Sequence, residues 1–191
     1  MHVVTPDVAS PSMSGPRRPS RGLRGFSEAL AADSDHACAT LACSALDALL
    51  TELFTGRMTS MAPAALFEGS GALATFAAKV DVAYGLGWIS GAERADLHVV
   101  REVSGLFARD VRRELSFASE TVRLACEPLQ LANAFLAEAG MPVSVFAQEA
   151  FGELRTNARQ RFEMTIEFLR QALIYRASQG TQAEDLPDVE S

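Results

Sequence analysis

The chain has 191 residues, of which 48% are hydrophobic, and its formal net charge at pH 7 is −7. This length suits a single domain with a substantial core. The acidic balance argues against extensive nucleic-acid binding, because phosphate contacts need surplus Lys and Arg. Alanine and leucine are abundant and alternating strand patterns are scarce, so the composition predicts an all-α fold.

The two ends of the chain differ in composition from the middle. Residues 1–25 hold Arg17, Arg18, Arg21 and Arg24 among Pro, Ser and Gly, which predicts a disordered basic arm. Such an arm could touch a nucleic-acid backbone, but a solvated arm is the favoured reading. Residues 180–191 are predicted to form a disordered acidic tail. Residues 26–179 are predicted to form one helical domain, a bundle of roughly six to eight helices.

The first helical pattern covers residues 26–54, with a break predicted near Asp33-Ser34-Asp35, where short polar side chains favour a helix cap. Its apolar stripe consists of Leu41, Ala45, Leu49 and Leu53, widened by Leu46, Leu50 and Phe54. Cys38 and Cys43 lie about 140° apart around this helix, which predicts core packing and no metal site.

A glycine-containing loop follows a short helix predicted from Pro63 to Phe67. Gly69-Ser70-Gly71-Ala72-Leu73-Ala74 matches the G-x-G-x-x-A pattern of dinucleotide sites. That chemistry requires a preceding strand, and the preceding residues look helical, so we predict a loop before a helix. The next helical face is Leu73, Phe76, Val80 and Tyr84, and Gly85-Leu86-Gly87 ends it.

Ser90 and Glu93 have the spacing of a capping box, which predicts a helix over residues 91–112. One side of this helix is apolar: Leu97, Val99, Val100, Val103, Leu106 and Phe107. The other side is the candidate partner or nucleic-acid surface: Arg94, His98, Arg101, Arg109 and Arg112, with Gly105 among them. An ordinary solvated face, with Glu102 pairing with His98, is the favoured reading.

The C-terminal third is predicted to hold three further helices. Ser119 caps a short helix that ends before Pro128, a second covers residues 129–139, and the last covers about residues 152–177. The apolar stripe of the last helix is Leu154, Ala158, Phe162, Ile166, Leu169 and Leu173. Arg159 and Glu163 are predicted to form an exposed pair.

No catalytic motif stands out. The sequence lacks G-x-S-x-G, a Walker lysine loop, H-E-x-x-H and zinc-spaced cysteines, which predicts a protein that is not an enzyme and binds no cofactor or metal. Three cysteines without CxxC spacing, and no leader sequence, predict a reduced cytoplasmic location. No apolar run approaches bilayer length, so no membrane span is expected.

The order of several residue blocks resembles the mannitol operon repressor (MtlR-like) family over roughly residues 30–178. The central blocks are Leu66-Phe67-Glu68-Gly69, Gly71 to Phe76, Val80 to Gly87, Ile89-Ser90, Asp96-Leu97-His98, Arg101 and Leu115-Ser116-Phe117. The outer blocks are Ser34-Asp35-His36-Ala37, Leu46 to Leu50 and Arg161-Phe162. The resemblance implies an all-helical regulator of sugar-alcohol uptake genes that lacks a helix-turn-helix and works through a protein partner, as a homo-oligomer.

One departure from that family concerns catalysis. Relatives carry Arg-Asn-x-Phe-Ala-His, which resembles the R-x4-H signature of HEPN-type RNases, so a distantly HEPN-like fold is implied. This chain has Ser104 and Arg109 at the two signature positions. Arginine cannot exchange protons near neutral pH as histidine does, which argues against RNase activity. The alternative function is therefore a degenerate HEPN-like nucleic-acid-binding module.

Overall fold

The computed structural model describes residue 30 and residues 34–58, 64–132 and 157–181. Within these ranges the chain is helical and has no strand, which confirms the all-α prediction. The helices are α1 (Asp35–Thr55), α2 (Phe76–Gly85), α3 (Gly91–Arg109), α4 (Glu120–Cys126) and α5 (Ala158–Thr181), with a 3₁₀ turn at Ala64–Leu66. The basic arm, the acidic tail beyond residue 181 and most of the helix predicted over 129–139 lie outside the described residues.

Helix α1 is the central element, and it packs against α5, α3 and α2. It begins where the sequence predicts a break, because the Ser34 hydroxyl accepts a hydrogen bond from the Ala37 amide at 3.3 Å. Its buried residues are Cys38, Ala39, Ala42, Leu46, Leu50, Leu53 and Phe54. The buried face is thus centred on Leu46 and Leu50, and Ala45 is only partly buried. The predicted stripe was thus partly wrong, because Leu41 and Leu49 are also only partly buried, and Cys38, Ala39 and Ala42 are buried although they were not part of it.

Helix α1 also corrects the expectation about apolar runs. With 21 residues and a mean hydropathy of 1.5, it is long and apolar enough to cross a bilayer by length and composition. The central helix of a folded domain passes the same test, and the side chains of Leu46, Leu50 and Leu53 are fully buried in this fold. Length and hydropathy alone are therefore weak evidence for a membrane span.

The glycine-containing segment is a loop that leads into α2, as predicted. Gly69 has a φ of +58°, and a Cβ on Gly71 would lie 2.2 Å from the carbonyl oxygen of Ala65. The loop therefore needs glycine for close backbone packing against the 3₁₀ turn. Thr75 caps α2 by accepting from the Ala78 amide. Tyr84 was expected on the buried face, but its side chain is exposed and Ala83 is buried instead.

The capping box of α3 is present. The Ser90 hydroxyl accepts from the Glu93 amide, and the Glu93 carboxylate accepts from the Ser90 amide at 2.6 Å. Glu93 also binds Arg176 of α5 at 2.5 Å, which fixes the start of α3 against the last part of α5. Burial by itself would raise the pKa of Glu93. The hydrogen bonds from Arg176 and Ser90 outweigh this effect and hold the pKa of Glu93 below its usual value.

Two helix boundaries differ from the prediction. Helix α3 ends at Arg109, so Arg112 lies beyond it; Asp110 has ψ of 81°, which breaks the helical path. Helix α5 begins at Ala158 and ends at Thr181, two residues inside the predicted tail. The side chain of Asn157 accepts from the Gln160 amide at 3.2 Å, which explains the start at Ala158.

The last helix contributes the described part of its predicted stripe to the core, and Leu154 lies outside the described residues. Ala158, Phe162, Ile166, Leu169 and Leu173 are all buried. Phe162 stacks on Phe117 with a centroid distance of 5.1 Å, and each fully buried side chain of this size contributes about 1.5–3 kcal/mol. The short α4 starts after Ser119, but the predicted side-chain cap was wrong: among the described residues the Ser119 hydroxyl accepts from the Ser116 amide at 3.0 Å and caps no amide of α4. Cys126 is buried at the end of α4.

Candidate interaction surface

The predicted basic face of α3 is divided by an acidic residue of α2. Asp81 accepts a hydrogen bond from Arg94 Nε at 2.8 Å, and its Oδ1 lies 3.1 Å from His98 Nε2. The hydrogen bond from Arg94, followed by that of His98, holds the pKa of Asp81 below its usual value. Arg94 also lies over the ring of Tyr84, at 5.0 Å from its centroid. Two of the five proposed contact residues are thus held within the protein, and His98 pairs with Asp81 where Glu102 was expected.

The two signature positions of the HEPN-type RNases make contacts that differ from a catalytic pair. Ser104 forms a hydrogen bond with the thiol of Cys43 on α1, and burial raises the pKa of that thiol. Arg109 folds back over Gly105, where an added Cβ would lie 3.4 Å from its guanidinium. The space above Gly105, predicted to admit another backbone or a ligand, is therefore occupied by the side chain of Arg109.

The remaining arginines gather at the end of α3. Arg109, Arg112 and Arg113 are exposed, and between them Val111 exposes 92% of its surface. Among the described residues, none of these three arginines has a carboxylate within 4.0 Å. We call Arg109 to Arg113 the α3 tip. Arg101 is also exposed but lies two helical turns earlier.

Asp110 holds the base of the tip in place. Its carboxylate accepts from the Leu115 amide at 2.6 Å and lies 3.1 Å from Nε2 of His36 on α1. The Leu115 amide is the main cause of the lowered pKa of Asp110, and His36 adds to it. The His36 ring also packs edge-on against Phe107, with a centroid distance of 5.0 Å. Arg113 has a φ of +56°, an uncommon conformation for a residue with a Cβ.

A second polar cluster joins α1, α5 and the loop before α4. Asp35 accepts from the Phe117 amide at 2.8 Å and from Arg159 at 2.6 Å. Arg159 also binds Glu163 at 2.7 Å and the carbonyl oxygen of Leu30 at 3.0 Å. The predicted pairing of Arg159 with Glu163 is confirmed, but their side chains are only 23% and 24% exposed, so the predicted exposure was wrong. The pair belongs to a network that ties three segments together.

A cleft of about 520 Å³ lies beside this cluster. It is lined by Asp35, Phe117, Ala118, Arg123, Asn157, Ala158, Arg159 and Gln160. Asp35, Arg159 and Asn157 all hydrogen-bond to other parts of the chain, and neither His36 nor Asp110 lines the cleft. The arrangement therefore stabilises the junction and presents no nucleophile with an adjacent base to a ligand.

Sequence reasoning missed Val111, Arg113 and the acidic partner of Arg94 and His98. The run Arg109-Asp110-Val111-Arg112-Arg113 is visible in the sequence, but a helix continuing to Arg112 would place Val111 away from the arginines.

In the described ranges, no group of three or more His, Cys, Asp or Glu side chains could hold a metal ion.

No protein-family model matches this chain, and neither a curated protein nor a solved structure matches it. The likeness to the mannitol operon repressor family therefore depends on the residue blocks themselves. Three of these blocks meet in the fold, because Phe117 contacts both Asp35 and Phe162.

Proposed function

We propose that this chain is a transcriptional regulator of the mannitol operon repressor type that acts through protein contacts and has no enzymatic activity. The observation that carries the proposal is the pairing of Arg94 and His98 with Asp81, so that two of the five side chains predicted to contact phosphates are paired with an acidic residue of the chain itself. A regulator that reads an operator directly needs several cations along one surface, and among the described residues of the predicted face only Arg101 and the arginines of the α3 tip lack a carboxylate partner.

Two further features support this proposal. The blocks that resemble the family at residues 34–37, 115–117 and 161–162 are far apart in the sequence and form one contiguous junction. The described surface also exposes large apolar side chains, among them Val111, Tyr175, Leu86 and Leu124, at 92%, 65%, 53% and 49%. Of these, Val111 stands between exposed arginines, and arginine is enriched in protein-interaction surfaces.

Transcript measurements test the regulatory part of this function. Cells that lack the chain should contain more transcript from sugar-alcohol uptake and dehydrogenase genes than cells that carry it. Restoring the chain should reverse the increase, and restoring it with Phe162→Ala, which removes a core side chain, should fail to do so. Equal transcript levels with and without the chain would overturn the proposal.

The second candidate is a degenerate HEPN-like nucleic-acid-binding module. It is favoured by Arg101, Arg109, Arg112 and Arg113, which have no carboxylate partner among the described residues. Its test is a salt titration of binding to a labelled RNA and a labelled DNA duplex. If this candidate is right, the affinity of the chain for RNA or DNA should fall steeply as the salt concentration rises. The double substitution Arg109→Ala, Arg112→Ala should also weaken this affinity. The first function instead predicts weak binding that these substitutions leave unchanged.

A further inference from the structure

The α3 tip combines three features that together indicate a binding surface. Arg109, Arg112 and Arg113 lack carboxylate partners among the described residues, and Val111 stands 92% exposed between them. Asp110 anchors the tip to His36 and Leu115, so the exposed Val111, Arg112 and Arg113 are attached to a fixed base, while the guanidinium of Arg109 lies back over Gly105. Arg113 keeps a left-handed φ of +56°, a strained conformation of the kind that clusters at functional positions.

The chemistry of the tip suits an acidic peptide that also carries apolar side chains. Guanidinium groups bind carboxylates through paired hydrogen bonds. A nucleic-acid backbone would satisfy the arginines but would offer no apolar group to Val111.

The chain itself contains a segment with this composition. Residues 182–191 read Gln-Ala-Glu-Asp-Leu-Pro-Asp-Val-Glu-Ser, with four carboxylates and the apolar Leu186 and Val189. We propose that the α3 tip of one copy of the chain binds residues 184–190 of a second copy. This inference rests on the proposed function, in that contacts between proteins are how the chain acts.

The directions of the helices favour a second copy over the same copy. Arg176 of α5 binds Glu93 in the first turn of α3, whereas Arg159 at the start of α5 lies at the junction with Asp35 and Phe117. Helix α5 therefore runs away from the tip, and Arg176 lies about 24 Å from it along α3. The six residues from Thr181 to Pro187, the middle of the acidic segment, span at most about 22 Å, so the segment cannot be centred on the tip of its own copy.

If two copies lie side by side with their helices antiparallel, the α3 tip of each copy lies beside the acidic segment of the other. Such an arrangement is a closed twofold dimer, in which both copies use the same two surfaces. The contacts are charged and solvent-exposed, so the dimer should weaken as salt increases. Loss of either set of charges should weaken both contacts at once.

Sedimentation equilibrium of full-length variants tests this pairing. The unmodified chain should dimerise at low salt, and Arg112→Glu with Arg113→Glu should raise the dimer dissociation constant at least about tenfold. A tail variant with Glu184→Gln, Asp185→Asn, Asp188→Asn and Glu190→Gln should do the same. Arg123→Glu, which changes an exposed arginine of α4 away from the tip, is the matched control and should leave the constant unchanged.

A charge-reversal pair distinguishes direct contact from misfolding. Adding Glu184→Arg and Asp185→Arg to the Arg112→Glu, Arg113→Glu chain should restore dimerisation, since the charges of both surfaces are then exchanged. A labelled peptide of residues 182–191 should bind the tail variant and should not bind the tip variant.

Three results would overturn the proposal: an unmodified chain that stays monomeric at low salt, a tip variant that dimerises normally, or a tip that binds RNA and not the peptide. A monomeric chain whose removal still raises sugar-alcohol transcripts would overturn only the tip pairing. Unchanged transcripts together with a salt-sensitive dimer would overturn only the regulatory function.

Discussion

Asp81 of α2 lies 2.8 Å from the guanidinium of Arg94 on α3, across the turn that joins the two helices. The same carboxylate reaches His98 one turn further along α3. One acidic residue of the chain itself therefore pairs with two of the five side chains of the predicted basic face. Among the described residues, the arginines of that face without a carboxylate partner are Arg101, in the middle of α3, and Arg109 and Arg112, at its end and just beyond it.

The Asp81 carboxyl should titrate below its usual pKa of 3.8, because Arg94 and then His98 stabilise the charged form. Since the pKa is lowered in the folded state, this group stabilises the fold above about pH 3.8 and less as the pH falls through the folded value. Arg94→Gln should raise the pKa toward 3.8, as measured by carbon NMR of the carboxyl group. Arg123→Gln serves as the control and should leave the pKa of Asp81 unchanged. If Arg94→Gln also left this pKa unchanged, the pairing of Asp81 with Arg94 would be contradicted.

Asp96 should stabilise the chain after α4. Its buried carboxylate accepts from the amides of Gln130 and Leu131, both at 2.8 Å. Asp96→Asn keeps one acceptor but leaves one amide opposite an NH₂ group, so the free energy of unfolding should fall by about 1–3 kcal/mol. Urea unfolding measures the loss. Glu102→Gln, an exposed change on the same helix, should stay within about 0.5 kcal/mol, and an equal effect of both would refute this role.

Asp96 also predicts a dependence of stability on pH. Burial raises its pKa above 3.8, even though the Leu131 and Gln130 amides favour the charged form. The folded state then binds the proton more tightly, so this group's contribution to stability falls as the pH rises from 3.8 through the folded pKa. The free energy of unfolding, measured at several pH values in this range, should contain this pH-dependent contribution in the unmodified chain. The contribution should be absent in Asp96→Asn.

Gly71 should be intolerant of a side chain. A Cβ at this position would lie 2.2 Å from the carbonyl oxygen of Ala65 and 2.4 Å from that of Leu66, both backbone atoms. Gly71→Ala should therefore cost about 1–3 kcal/mol, as overpacked substitutions do. Gly85→Ala has nothing within 4 Å and should be neutral or stabilising by up to about 1 kcal/mol. Thermal unfolding of the two variants checks this, and similar melting temperatures would show that the loop packs differently.

Phe162 should be among the residues most sensitive to truncation. It is fully buried and stacks on Phe117, so Phe162→Ala should lower the free energy of unfolding by about 3–5 kcal/mol. Tyr175 lies on the same helix but is 65% exposed, so Tyr175→Ala should change it by less than about 0.5 kcal/mol. Denaturant titrations of both variants give the comparison, and a small loss in Phe162→Ala would argue against its central position.

The starts of α1 and α3 were predicted well, because their signals are local, whereas the start of α5 was not. Ser34 and Ser90 each cap a helix with their own hydroxyl, and the partner amide is three residues away. Burial along α5 followed from periodicity alone, since Phe162, Ile166 and Leu169 share one helical face. Helix ends were predicted less well. The end of α3 at Arg109 depends on Asp110, whose carboxylate is held by Leu115 and by the distant His36.

By itself, the sequence determined the all-helical class, the glycine loop before α2, the capping box of α3 and the buried stripe of α5. These features depend on residues within about one helical turn of each other, so composition and spacing are sufficient to predict them. The tertiary structure alone decided which cations remain free for a partner. That outcome depends on where α2 places Asp81 and where α1 places His36, and these distances arise only when separate helices pack together.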